Sequence, residues 1–177
     1  MGRYIAFLRG INVSGQKLLK MAALRQAFTE AGIAGVKTYI QSGNVIFDST
    51  ETDGEKLSRH LEDLIEKSFE FRTDVILRRH SDIESILNSL QISKAESCEE
   101  KKYYLTFLKE ECPVAIPLPS LSKNRDVEII YHNNKDFVSI SSLFKGNFGF
   151  PNAFIEKLTG IPATTRNPIT LGKILEL

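Results

Sequence analysis

The chain has 177 residues, 42% hydrophobic and 25% charged, a balance that excludes a disordered protein and leaves room for one domain or two small ones. Its 23 basic and 22 acidic side chains give a formal charge of +1, so nucleic acid is not the expected partner, although a local patch can hide in such an average. No apolar run approaches the ~20 residues a membrane helix needs, Met1-Gly2-Arg3-Tyr4 lacks the apolar core of a signal peptide, and two cysteines, Cys98 and Cys112, suit a reducing cytoplasm better than a disulfide framework.

Tyr4 to Leu8 reads as a strand that is apolar at both alternating sets of positions, which predicts a sheet covered on both faces. Gly10 to Lys17 is loop. Met21, Leu24, Phe28 and Ala31 recur at helical spacing, with Gly32 as the stop. Val36 to Ile40 and Val45 to Phe47 are the next strands, joined by the polar turn Gln41-Ser42-Gly43-Asn44. Thr52 and Glu55 have capping-box spacing. They precede a helix with an apolar stripe of Leu57, Leu61, Leu64 and Ile65, and with Glu62, Asp63, Glu66 and Lys67 facing away from it. Asp74 to Leu77 is a fourth strand.

The order β-α-β-β-α-β predicts a ferredoxin-like plait over residues 1–79. Right-handed crossovers make its first two strands parallel and the last two antiparallel to them. One end of the sheet then gathers the exit of the first strand, the turn between the second and third, and the entry to the fourth. Arg9, Asn12, Gln41, Ser42, Asn44 and Arg72 are thereby grouped, although far apart in sequence.

Residues 80–101 read as a linker: a helix carrying Ile83, Ile86, Leu87 and Leu90, headed by Ser81 and Glu84 at capping-box spacing, and then a polar, acidic run from Ser93. Residues 102–177 form a second unit. Tyr103 to Leu108 is a strand, and Glu110 to Leu121 holds three prolines and no regular helix. Val127 to Tyr131 and Phe137 to Ser141 flank the hairpin turn Asn133-Asn134-Lys135-Asp136. Asn152 to Leu158 is a helix stopped by Gly160, Ala163 to Thr165 a short strand, and Asn167 with Pro168 opens a last helix burying Leu171, Ile174 and Leu175. This is the same element order in degraded form, so the expected class is α+β: two ferredoxin-like plaits with a C-terminal helix.

Arg9-Gly10-Ile11-Asn12-Val13, Lys20-Met21-x-x-Leu24-Arg25, Thr38-Tyr39-Ile40-Gln41-Ser42-Gly43-Asn44-Val45 and Thr165-Arg166-Asn167 together resemble domain-of-unknown-function family 1697, a family of bacterial α/β-plait proteins. The sequence departs from the family pattern at Ser14-Gly15 and at Pro168-Ile169. The resemblance implies a fold and no activity, cofactor or substrate, so function has to be argued from the site.

Gly10-x-x-x-x-Gly15-Gln16-Lys17-Leu18 is not a phosphate-binding P-loop, because a residue intervenes before the lysine and Leu18 stands where a magnesium-binding hydroxyl is needed. A looser anion nest with Lys17 or Lys20 stays open. Gly43 and Asn44 suit a tight turn, whereas Gln41 has no turn preference to explain it. Arg9 at a strand end can clamp a carboxylate or phosphate, or form an ion pair. Asn167 reads as a helix cap; Arg166 beside it does not. His60, His80 and His132 share no metal spacing, no nucleophile elbow is present, and no cofactor is expected. Phe69, Phe71, Phe148 and Phe150 can stack on a base or pack in a core.

Three readings follow for Arg9, Asn12, Gln41, Ser42, Asn44, Arg166 and Asn167. They form a binding site for a small anionic or nucleotide-like ligand, or an enzyme site without a recognisable nucleophile, or a polar lock between domains or subunits of a homo-oligomer.

Overall fold

The structure is a computed structural model that describes residues 1–13, 17–89 and 100–177. Ser14, Gly15, Leu90, Cys98 and most of the polar run 93–101 lie outside the described residues. The fold is α+β, with antiparallel sheets and five helices among the described residues. Two compact units divide the chain: Met1–Ile86 with Lys173–Leu177, and Leu87–Gly172.

The first unit contains β1 (Gly2–Leu8), α1 (Met21–Glu30), β2 (Ala34–Tyr39), β3 (Asn44–Ser49), α2 (Gly54–Phe69) and β4 (Val75–Arg79), followed by α3 (His80–Ser89). Its sheet has the order β2-β3-β1-β4, antiparallel throughout. Alternation along β1 sends Tyr4, Ala6 and Leu8 into the core with Leu24 and Phe28 of α1 and Leu61 and Ile65 of α2. Phe28 meets Phe47 edge-on at 6.3 Å. On the other face Ile5, Phe7, Ile46 and Ile76 are buried as well, as the doubly apolar pattern of β1 predicts.

Several local expectations are corrected. The α2 cap is Asp53, whose carboxylate accepts from the amides of Glu55 and Lys56, and not Thr52. Glu51 in turn accepts from the amides of Thr52 and Asp53. α3 starts at His80, directly after β4, ahead of the Ser81 and Glu84 pair. Ile40 is not the end of a strand but an exposed turn residue with φ 49°.

Glu62 does not face solvent. It is buried, and its carboxylate accepts from the amide of Val75 at 2.9 Å. Ser58, one turn earlier, donates to the Val75 carbonyl at 2.5 Å. β4 is an edge strand, so α2 supplies through two side chains the backbone partners that a neighbouring strand would give.

The second unit contains β5 (Lys101–Leu108), β6 (Ser120–Leu121), β7 (Val127–His132), β8 (Asp136–Phe144), β9 (Asn147–Phe148), α4 (Pro151–Thr159), β10 (Ala163–Arg166) and most of α5 (Pro168–Leu175). The strand order is β10-β5-β8-β7-β6, with β9 paired to β8. Without β6 and β9, the strands repeat the first unit's ordering. Leu108, Ile129, Phe137, Ile155 and Ala163 form the core, joined by Cys112 and Ile116 from the irregular crossover. Asn133 Oδ1 closes the β7–β8 turn by accepting from the amides of Lys135 and Asp136.

The last residues, Lys173–Leu177, are part of the first unit. His80 Nε2 lies 3.1 Å from the carbonyl oxygen of Leu175. The Lys37 ammonium donates to the Leu177 carbonyl oxygen.

Candidate functional site

The polar end of the first sheet is assembled by backbone bonds across its strands. Leu8 N donates to Gly43 O at 2.8 Å, and Arg9 N to Asp74 O at 2.9 Å. The Thr73 hydroxyl donates to Arg9 O at 2.5 Å. Arg9, Asn12, Gln41, Ser42, Asn44 and Arg72 are therefore brought to one rim, as the crossover argument requires.

Their roles differ. Asn12 Nδ2 donates to Leu19 O at 2.9 Å and to Gln41 O at 2.7 Å, while its Oδ1 accepts from Leu19 N at 2.7 Å. Asn44 is fully buried; its amide donates to Tyr39 O at 3.1 Å and Ser42 Oγ at 2.9 Å. Both asparagines brace backbone. Gly43 has φ 71°, and a Cβ there would meet the Ile11 side chain at 2.6 Å, so the turn sits directly on the end of β1.

The exposed layer lies above these braces. Arg9 keeps 40% of its side chain exposed and faces Asp74 at 3.8 Å. Lys17 Nζ donates to Arg72 O at 2.7 Å. Arg72 pairs with Glu66 at 3.4 Å. Gln41 is exposed. Three non-glycine residues of this end, Asn12 (φ 53°), Lys17 (φ 46°) and Ile40 (φ 49°), have left-handed backbone. For the β-branched Ile40 this conformation is the least favourable of the three.

Arg166 and Asn167 belong to the second unit. The Asn167 carboxamide accepts from Thr170 N at 2.7 Å and caps α5. Arg166 donates to Thr164 Oγ1 at 2.7 Å and to Thr165 O at 2.8 Å. Burial pushes its guanidinium down to about 10, so it stays charged at neutral pH.

The sequence reading passed over the opposite end of the first sheet. A cavity of about 430 Å³ opens there, with Ile33, Phe47 and Leu57 as its apolar lining and Asp48, Lys56 and His60 among its polar groups. Lys56 pairs with Glu51 at 2.6 Å. The hydrogen bond from Lys56 is the main reason the Glu51 carboxyl lies below its usual range. The only sequence signal for this cavity is the one-turn spacing of Lys56 and His60 on α2.

Among the described residues, no group of three or more His, Cys, Asp or Glu side chains is placed to hold a metal ion. No helix among them is long and apolar enough to cross a membrane.

The fold is similar to that of the conserved bacterial protein SP0830 from Streptococcus pneumoniae, with a TM-score of 0.70 and 24% identity over 99% of this chain and 97% of that one. At that identity the likeness carries the fold alone. No curated protein matches the chain significantly. The sequence model of the family described as "Protein of unknown function (DUF1697)" matches residues 1–137, which include the Arg9–Val13 and Thr38–Val45 motifs but not Thr165–Asn167, and the chain belongs to that family.

Proposed function

We propose that the chain is a binding protein for a small anionic ligand, nucleotide-like in charge and size, held at the Arg9–Asn12 and Gln41–Asn44 end of the first unit. The single observation that carries this reading is the concentration of strain there. Asn12, Lys17 and Ile40 all take left-handed backbone at one end of one sheet, and strain of this kind persists where surrounding structure fixes it, commonly at ligand sites. Lys17 supplies positive charge above it, joined by Arg9 and Arg72, which are paired with Asp74 and Glu66, and Gln41 supplies an uncharged amide. The strand order of the first unit supports a ferredoxin-like plait as the scaffold, and the repeated ordering in the second supports a degraded copy. A cytoplasmic setting belongs to the same reading, supported by the free thiol of Cys112.

The test is a thermal-shift screen of nucleotides and phosphorylated metabolites. A ligand at a hundred times its dissociation constant stabilises by about 2.7 kcal/mol. A stabiliser should emerge whose effect is lost in Arg9→Ala and Gln41→Ala. A screen with no stabiliser would sink the proposal.

A second reading is favoured by the bonds of Asn12 and Asn44, which run to backbone or to a neighbouring hydroxyl. On that reading the motifs are a clasp for the end of the sheet. Arg9→Ala and Gln41→Ala would then alter no ligand response, while Asn12→Ala would lower stability.

A further inference from the structure

The cavity at the far end of the first sheet plays no part in the reading at the Arg9 end. β3 finishes there, with Gly2 of β1 opposite Ser49 and Ala34 of β2 opposite Asp48. The chain then turns through Thr50 and Glu51 into the cap of α2. The space of about 430 Å³ lies between this turn, the residues that follow α1 and the first half of α2. An apolar cavity of about 150 Å³ already takes benzene, so this one accommodates a ring with a short chain.

Its floor and mouth are both fixed. Ile33 and Leu57 form apolar walls over the buried ring of Phe47. Tyr4 stacks on that ring at 5.9 Å and Phe28 meets it edge-on at 6.3 Å, so it has little freedom to move. At the mouth the Tyr4 hydroxyl donates to Glu51 O at 2.9 Å, and Glu51 N donates to Ser49 Oγ at 3.1 Å. One carboxylate oxygen of Glu51 accepts from the amides of Thr52 and Asp53. The other holds the Lys56 ammonium at 2.6 Å, which sets that ammonium at the rim. An ammonium has three donors, and Glu51 engages one of them. His60 follows one turn later on the same side of α2 and has no hydrogen-bond partner among the described residues. Asp48 is turned aside. Strand alternation sends it to the face opposite Phe47, where its carboxylate lies so close to Gly35 that a Cβ there would clash with it. The rim groups left open are therefore donors, and they stand above an apolar pit.

From this we infer that the cavity binds a small monocarboxylic acid. The apolar body of the acid rests on Ile33 and Leu57, and its carboxylate accepts from the Lys56 ammonium and the His60 ring N–H. A few convergent polar groups at the edge of an apolar concavity are the usual build of a small-molecule site. The inference is independent of the ligand proposed at the Arg9 end, because the two places lie at opposite ends of one sheet.

The experiment is a titration of the full-length, isotope-labelled protein followed by amide chemical shifts. The probe is phenylbutyrate, with phenylbutanol and phenylbutylamine as neutral and cationic counterparts of the same body. Saturable shifts should appear at Ile33, Leu57 and His60, and not at Gly10 or Gln41. The acid should bind about three- to fivefold more tightly than the alcohol, the size of an exposed ion pair, and the amine more weakly than either. Lys56→Met keeps the stem and removes the ammonium; it should bring the acid most of the way down to the alcohol. Glu51→Gln removes the counter-charge from Lys56 and should raise the affinity of the acid about twofold without changing that of the alcohol. Both substitutions are at the surface, and the dispersion of the same spectra checks that each variant is folded. No saturable shift with any of the three compounds, a preference for the acid undiminished in Lys56→Met, or tighter binding of the amine would each overturn the inference. Shifts confined to the Arg9 end would overturn it as well, while favouring the ligand site proposed there.

Discussion

Asn12 Nδ2 donates to the carbonyl oxygen of Gln41 at 2.7 Å, joining two turns 29 residues apart in sequence. The same carboxamide bonds both the N–H and the C=O of Leu19, so one side chain fastens the loop after β1 to the β2–β3 turn and to the entry of α1. Three bonds to backbone, each worth about 1 kcal/mol net, predict that Asn12→Ala loses about 2–4 kcal/mol in urea unfolding. Asn12→Gly loses the same bonds but relieves the left-handed backbone, a saving of about 1 kcal/mol. Alanine should therefore be the worse of the two.

Ile40 gives the opposite sign. Its side chain is 52% exposed and buries little, while its β-branched Cβ is held at φ 49°. Ile40→Asn keeps a residue that tolerates this conformation and should raise stability by up to about 1 kcal/mol, read as a higher Tm. If the strain serves a ligand, the same variant should respond less to the stabiliser found for the wild type. A gain in Tm with an undiminished ligand response would detach Ile40 from binding.

Topology was the most legible part of this chain. Element order and crossover handedness bring Arg9–Asn12 beside Gln41–Asn44 without any knowledge of side-chain contacts. The helix stop at Gly32, the Asn133 turn and the Asn167 cap were legible because their chemistry is local. Glu62 was not, because its burial answers a need of β4, thirteen residues on, for a backbone acceptor. Spacing alone did not separate Asp53 from Thr52 as the α2 cap, since either can present an oxygen to the first turn. The contact of Lys102 with Phe148 was not legible, because the two meet only through the register of β5, β8 and β9.

The Glu62 clamp yields its own prediction. Glu62→Gln retains an acceptor oxygen for the Val75 amide, whereas Glu62→Leu leaves a buried N–H without this bond, at a cost of about 1–3 kcal/mol. Native-state hydrogen exchange should show Val75 losing protection in Glu62→Leu and largely keeping it in Glu62→Gln. Equal loss in both would mean that the charge, and not the acceptor, holds the strand edge.

Glu51 gives a pH prediction. Its folded pKa is lowered, first by the hydrogen bond from Lys56 and then by the Asp53 amide. A carboxyl held lower in the folded state stabilises at pH values above its unfolded pKa and loses that contribution as pH falls through the folded one. Lys56→Met should move the Glu51 titration upward in a carboxyl-detected NMR experiment and leave the residual lowering from the backbone amides. The site is on the surface, so added salt should mimic part of the change.

Gly149 tests how closely the segment before α4 lies on the second sheet. A Cβ there would meet Val127 Cγ2 at 2.6 Å, Asp126 O at 2.7 Å and Asp126 Cγ at 2.8 Å. One of these is backbone, which cannot rotate away. Ser141, the β8 partner of Val127, is buried and its hydroxyl has no hydrogen-bond partner among the described residues. Such a position favours a small side chain over a well-bonded one. Gly149→Ala should cost about 1–3 kcal/mol through overpacking and should shift the segment that carries Phe148 and Phe150. Unchanged stability in Gly149→Ala would show that the segment yields freely and is not held tightly against the sheet.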